Sequence, residues 1–275
     1  MDERQKYLFD TRGYLVVDDV LSEDQCTRLI AAVNERIEVP DGELPDGVTS
    51  SNEPTLARLG DLTSAGPEFC ELIDIPRVID LLRVIVHHQL RLENTYAYVR
   101  RKGFPGLRMH GGGSFDSNGQ DLTLMYRHFN GRIFSGHTVV AFNLTDVSEE
   151  EGGFACIPGS HKANFPIPED MKTFEHGVDR SLIQCVPCRA GSAVIFTEAL
   201  CHGATPWTSD RERVTLFYKY HHAGMKFHSF FPSRAALERM TPSQRSFYIE
   251  VSADSRDPRL LYPAPARDGH LGSVR

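Results

Sequence analysis

Between residues 137 and 222 the chain consists of short β-branched and aromatic runs, HTVVAFNL, FACI, SLIQCV, SAVIFT and RVTLFYKY, separated by punctuation such as EEEGG, PGS and AGS. Gly supplies positive-φ turns, and Pro and Asp interrupt regular structure, so each run predicts one short strand. No helical pattern intervenes. Parallel strands would need long crossover connections, usually helices, so the runs predict an antiparallel barrel or jelly roll. The expected class is mainly β with flanking helices.

The flanks read differently. Residues 14–20 (YLVVDDV) predict a strand, and Ser22 to Gln25 spell a capping box for the helix CTRLIAAVNERI, whose Leu29, Ile30, Val33 and Ile37 share one face. Residues 40–66, rich in Pro, Gly, Ser and Asp without sustained periodicity, predict a long surface loop. Pro76 suits a helix start with VIDLLRVIV as its body, and residues 90–101 alternate as a strand. Helical spacing returns over 233–249, and 252–275 predicts a surface tail. One domain is expected: a helix-and-strand flank over about 1–88, a β core over about 89–222, and a C-terminal helix and tail over about 223–275.

Charge narrows the partners. Thirty Lys+Arg against 37 Asp+Glu give a net charge of −7, which offers no electrostatic footprint for nucleic acid or an anionic membrane. A small-molecule substrate is the expected partner. No apolar run approaches the length of a membrane span, and MDERQKYLFD is too charged for the core of a secretory signal. Six cysteines (26, 70, 156, 185, 188 and 201) are scattered rather than framed as staples, which fits a reducing, cytoplasmic setting.

Of twelve histidines, most, including His87, His88, His176, His221, His222, His228 and His270, predict solvated or satisfied structural groups. His137 reads as a satisfied core histidine and His161 as a structural or rim group in its Pro-Gly-Ser-His turn. His110 and His202 stand apart. The first follows a strand and a Pro-Gly loop and opens His-Gly-Gly-Gly-Ser-Phe-Asp116; the second follows the apolar strand SAVIFT. Two imidazoles on facing strands at a barrel mouth can hold a metal ion while leaving positions open for an oxoacid and oxygen. Arg213 introduces the strand VTLFYKY, deep enough for its guanidinium to make two parallel bonds to a carboxylate, whereas Arg211 predicts a solvated group. A rim salt bridge is the alternative role for Arg213. Cys185-Val-Pro-Cys188 with Cys201-His202 has zinc-ribbon residue types, although a lone CxxC is a weak signal. No GxSxG or HExxH occurs to support a hydrolase.

The ordered set of Gly13-Tyr-Leu-Val-Val, Leu21-Ser-Glu-Asp-Gln25, Asn143-Leu-Thr-Asp146, Gly152-Gly-Phe, Ile157-Pro-Gly-Ser-His-Lys162, Gly191-Ser-Ala-Val-Ile-Phe196, His202-Gly and Arg213 resembles the phytanoyl-CoA dioxygenase family. The resemblance covers most of the chain. It implies a double-stranded β-helix (a cupin-like jelly roll), iron(II), and 2-oxoglutarate and O2 as cosubstrates, with succinate and CO2 as coproducts. It also implies that His110 and His202 are metal ligands and that Arg213 grips the distal carboxylate of 2-oxoglutarate.

The family pattern places a carboxylate two residues after the first metal histidine, where this chain has Gly112. The replacement expected first is Asp116, with Glu198 as a weaker candidate or an orienting group. Water, substrate or a halide are alternatives, the last resembling the halogenase branch of these enzymes. An alternative alignment uses His128-Phe-Asn130 as the first motif. Tyr98 and Thr205 are assigned to the 2-oxoglutarate site beside Arg213, and Tyr96, Trp207, Lys102 and Arg108 to the substrate pocket.

Overall fold

The computed structural model describes residues 1–40, 42–112, 123–174, 180–228 and 230–248. Helix α1 (Glu3–Arg12) starts on an Asp2–Gln5 capping box and ends on Gly13 in the left-handed region. Strand β1 (Tyr14–Val17) and helix α2 (Glu23–Ile37) follow, the helix capped reciprocally by Ser22 and Gln25. Next come β2 (Thr49–Asn52), β3 (Leu56–Gly60), α3 (Leu62–Ala65), α4 (Pro67–Cys70) and α5 (Pro76–Ile85). The expected loop over 40–66 therefore contains two strands and a helical turn. Thr49-Ser-Ser-Asn52 is polar on both faces, and its strand is held by antiparallel pairing to β3 rather than by burial. Hydrophobic periodicity cannot reveal such a strand.

The remaining elements are β4 (Leu90–Arg100), β5 (Leu107–His110), β6 (Tyr126–Phe129), β7 (Arg132–Ser135), β8 (Thr138–Asn143), β9 (Gly153–Cys156), β10 (Gln184–Cys185), β11 (Ala193–Thr197), β12 (His202–Thr205), β13 (Arg213–His222), α6 (Arg234–Arg239) and α7 (Pro242–Ser246). A seven-stranded sheet runs β1-β11-β8-β13-β4-β3-β2, a four-stranded sheet runs β10-β9-β12-β5, and β6-β7 form a hairpin. The neighbouring strands pair antiparallel throughout. The architecture is a double-stranded β-helix.

The central strands of the large sheet are buried on both faces. On β8 and β13, Val140, Phe142, Leu216 and Tyr218 pack against the helices, while Val139, Ala141 and Phe217 face the smaller sheet. Side chains alternate across a strand, so each apolar run serves two cores. Tyr218 and Tyr220 carry polar tips into the helical side, where their hydroxyls donate to Phe69 O at 2.6 Å and Ile73 O at 2.7 Å. Those bonds tie the sheet to the α4 region without leaving a buried hydroxyl unpaired. Among the described residues no helix is long and apolar enough to cross a membrane.

Candidate functional site

The smaller sheet brings the two singled-out histidines together. His202 on β12 lies opposite His110 on β5 in the antiparallel register, and their ring centroids are 4.2 Å apart. Each ring meets a local carbonyl through Nδ1: His110 that of Arg108 at 3.1 Å, and His202 that of Leu200 at 2.7 Å. A carbonyl can only accept, so Nδ1 carries the proton and Nε2 presents its lone pair, the arrangement usual for a metal-binding imidazole.

Glu198 completes the set. One ligand atom from each of His110, Glu198 and His202 lies within 4.8 Å of the others, and Glu198 Oε2 is 3.7 Å from His202 Nε2. Lys219 Nζ donates to the other carboxylate oxygen, Oε1, at 2.7 Å. Burial alone would raise the Glu198 carboxyl, but the Lys219 ammonium bonded to it outweighs burial and holds the group ionised. Burial, reinforced by the charge of His110, lowers His202 to about 3, so its imidazole is neutral and available as a ligand. Two imidazoles, one buried and one partly exposed, with one buried carboxylate fit a divalent iron.

These groups line one pocket together with Tyr96, Tyr98, Arg100, Phe154, Phe196, Arg213, Phe217 and Lys219. Arg213 is 3% exposed, and its Nε and Nη1 have no hydrogen-bond partner. Burial, then the nearby charge of Arg100, lowers its pKa. A buried guanidinium without an anion is costly, so this one awaits a ligand carboxylate. The Gly152-Gly-Phe motif makes room for it: a Cβ on Gly153, at φ +122°, would lie 2.8 Å from Val147 Cγ1 and 3.4 Å from Arg213 Nη1. Arg211, by contrast, pairs with Glu151 at 2.6 Å on the exposed rim.

The other expected site residues divide. Tyr96 and Tyr98 line the cavity, their rings packed on each other and on Phe217. Thr205, Trp207, Lys102 and Arg108 do not line it. Thr205 Oγ1 donates to Gly153 O at 3.4 Å, and Trp207 Nε1 donates to Arg211 O at 2.7 Å from a fully buried position. Lys102 pairs with Asp210 at the surface, and Arg108 with Glu169. These four stand beside the cavity in sequence, and each side chain meets a partner away from its lining. Asp116 lies outside the described residues. His128 sits exposed on the β6-β7 hairpin, away from the cavity. Cys185 and Cys188 are free thiols and enter no metal-holding group among the described residues.

Gly112 accounts for the absent family carboxylate. Its φ is +96°, and a Cβ there would lie 3.1 Å from Cys201 Cβ. Its N–H donates to Ala199 O at 2.8 Å, which binds this loop to the turn that carries Glu198. An Asp at 112 is sterically disfavoured. Two cavity residues, Arg100 and Lys219, escape a reading by motif. Strand alternation from Tyr96 and Tyr98 to Arg100, and from Arg213 and Phe217 to Lys219, marks both as charged groups on an inward face.

A family model described as phytanoyl-CoA dioxygenase (PhyH) matches residues 9–215. Comparison with curated proteins returns no match. Among solved structures, HygX from Streptomyces hygroscopicus with nickel and 2-oxoglutarate bound is 28% identical, with a TM-score of 0.68 over 84% of this chain and 89% of that one. The same protein with nickel, 2-oxoglutarate and hygromycin B bound is 26% identical, with a TM-score of 0.69 and the same coverage. EctD from S. alaskensis in its apoform is 20% identical, with a TM-score of 0.62 over 84% of this chain and 81% of that one, a likeness of fold.

Proposed function

The chain belongs to the phytanoyl-CoA dioxygenase family, and from that premise we propose that it hydroxylates, or otherwise oxidises, a small organic molecule, with His110, Glu198 and His202 holding iron(II) and Arg213 holding the distal carboxylate of 2-oxoglutarate. It is a 2-oxoglutarate-dependent oxygenase. One observation carries the site assignment: a His-Glu-His donor set shares one cavity with a buried guanidinium that has two unpaired nitrogens. For hydroxylation the balance is substrate C–H plus O2 plus 2-oxoglutarate giving the alcohol, succinate and CO2. Iron(II), when bound, supplies the redox chemistry that couples decarboxylation of the oxoacid to oxidation of the substrate.

The protein's own groups bind and orient. Lys219 keeps Glu198 anionic and directs its free oxygen toward His202. Arg213, with Arg100 opposite it in the β13–β4 register, offers two guanidiniums to one end of the oxoacid. Phe154, Phe196 and Phe217 exclude water from the wall between the arginines and the metal ligands. HygX has been solved with hygromycin B bound beside nickel and 2-oxoglutarate, which supports a small organic substrate here. With Glu198 in the carboxylate role the reading needs no halide at the position Gly112 leaves open.

Anaerobic loading with iron(II) and 2-oxoglutarate, followed by oxygen and assay of succinate, tests the reading. Wild-type protein should form succinate and Glu198→Gln should not, whereas Asp116→Ala should remain within a few-fold of wild type. Loss of metal binding in Asp116→Ala with full binding in Glu198→Gln would reverse the ligand assignment.

A further inference from the structure

A second histidine-carboxylate group lies outside that cavity. Glu93 falls at the bulge of β4, where the pairing with β13 shifts between Lys219 and Tyr220. Its side chain is 0% exposed. Three imidazole nitrogens face one of its oxygens, Oε2: His228 Nδ1 at 3.5 Å, His221 Nδ1 at 3.6 Å and His137 Nε2 at 3.9 Å. None of the three has a hydrogen-bond partner. His137 and His221 are 1% and 0% exposed in their side chains, and His228 is 30% exposed.

His221 makes the difficulty acute. Its Nε2 lies 2.7 Å from Thr123 O, an acceptor, so Nε2 carries a proton. In the neutral ring Nδ1 then points a lone pair at a buried carboxylate, an arrangement that either a metal ion between them or a proton on Nδ1 relieves. Glu93 is fixed in place, accepting from Phe227 N at 2.8 and 3.0 Å and from His228 N at 3.2 Å. Donor atoms on a tetrahedral ion with 2.0–2.1 Å bonds stand roughly 3.3–3.4 Å apart. The three contacts to Oε2 exceed that figure by about 0.1–0.6 Å, and one ligand atom from each of Glu93, His137 and His228 lies within 4.8 Å of the others.

We propose that Glu93, His137 and His228, backed by His221, form a second metal site for a divalent transition-metal ion of the zinc type. Imidazole and carboxylate without thiolate suit such an ion. The ion would clip the segment after β13, through His228, to Glu93 on β4 and to His137 at the start of β8. Its role is structural, since these residues lie outside the cavity that holds Arg213. The partial exposure of His228 provides the route by which an ion enters.

Zinc titration of metal-stripped full-length protein, with a His202→Ala background to disable the other site, tests this. His202→Ala protein should bind one equivalent of zinc and gain thermal stability on doing so. Adding His137→Gln or Glu93→Gln should weaken that binding at least tenfold and abolish the stability gain. His228→Ala, a change at a partly exposed position, serves where the buried variants fail to fold. If His202→Ala protein binds no zinc, or if the added substitutions leave its zinc affinity intact, the cluster is a protonated imidazole–carboxylate group and the proposal is overturned.

Discussion

Lys219 donates a 2.7 Å hydrogen bond to Glu198 at a depth where both side chains are largely buried, 16% and 8% exposed. The carboxylate is thus neutralised by one buried cation, and on the proposed assignment a bound metal ion would add a second. Removing the lysine should expose that competition. Lys219→Met is expected to destabilise metal-free protein by about 3–5 kcal/mol, the cost of an uncompensated buried charge. Divalent metal should restore much of the loss, because the ion then serves as the sole counter-charge. Denaturant melts with and without nickel check this: a Lys219→Met protein as stable as wild type without metal would contradict it.

Arg213→Ala should weaken 2-oxoglutarate binding by about 2–5 kcal/mol, or roughly 30-fold to several-thousand-fold. Arg211→Ala should change it little, since Arg211 is 52% exposed and already paired with Glu151. Calorimetric titration of the nickel-loaded proteins separates the two.

Arg100 is a second, unannounced cation in the cavity, 4.8 Å over the Tyr98 ring and with its own Nε and Nη1 unpaired. If it shares the distal carboxylate, Arg100→Gln should raise the 2-oxoglutarate dissociation constant about tenfold, as loss of one charged hydrogen bond of about 1.5 kcal/mol implies. Unchanged cosubstrate affinity with impaired substrate oxidation would instead assign Arg100 to the substrate.

Gly112→Asp should not rebuild the family's ligand. The positive φ and the Cys201 contact should cost on the order of 1–3 kcal/mol in stability. Metal affinity should fall rather than rise, as read by nickel titration. No chlorinated product should form in either protein when chloride is supplied.

Acid should weaken the fold through His161. Burial pushes this imidazole down to about 4, while in the unfolded chain it keeps its ordinary value of 6.5. Between those values the unfolded state binds the extra proton, so stability is full above about pH 6.5 and falls as pH drops toward 4. One such group contributes a slope of at most about 1.4 kcal/mol per pH unit. His161→Gln, which keeps a donor for Asp10 O (3.0 Å from His161 Nε2), should flatten the slope in urea titrations at pH 4.5–6.5.

Local pattern carried the fold class, because strand alternation, turn glycines and capping boxes are properties of adjacent residues. It also reached His110, His202 and Arg213, each beside a strand end where the motif and the hydrophobic run meet. Tertiary structure decided what those residues meet. Gly112 and Glu198 are far apart in the chain, and only the folded contact of residues 111–112 with residues 198–201 brings the position of the missing carboxylate beside Glu198. The same holds for Arg100, which register alone sets opposite Arg213. Glu93, His137, His221 and His228 each read singly as unremarkable in sequence, and they acquire chemistry only where β4, β8 and β13 converge. Short-range forces write themselves into periodicity, whereas a ligand set depends on which distant side chains the sheet pairing brings to one point.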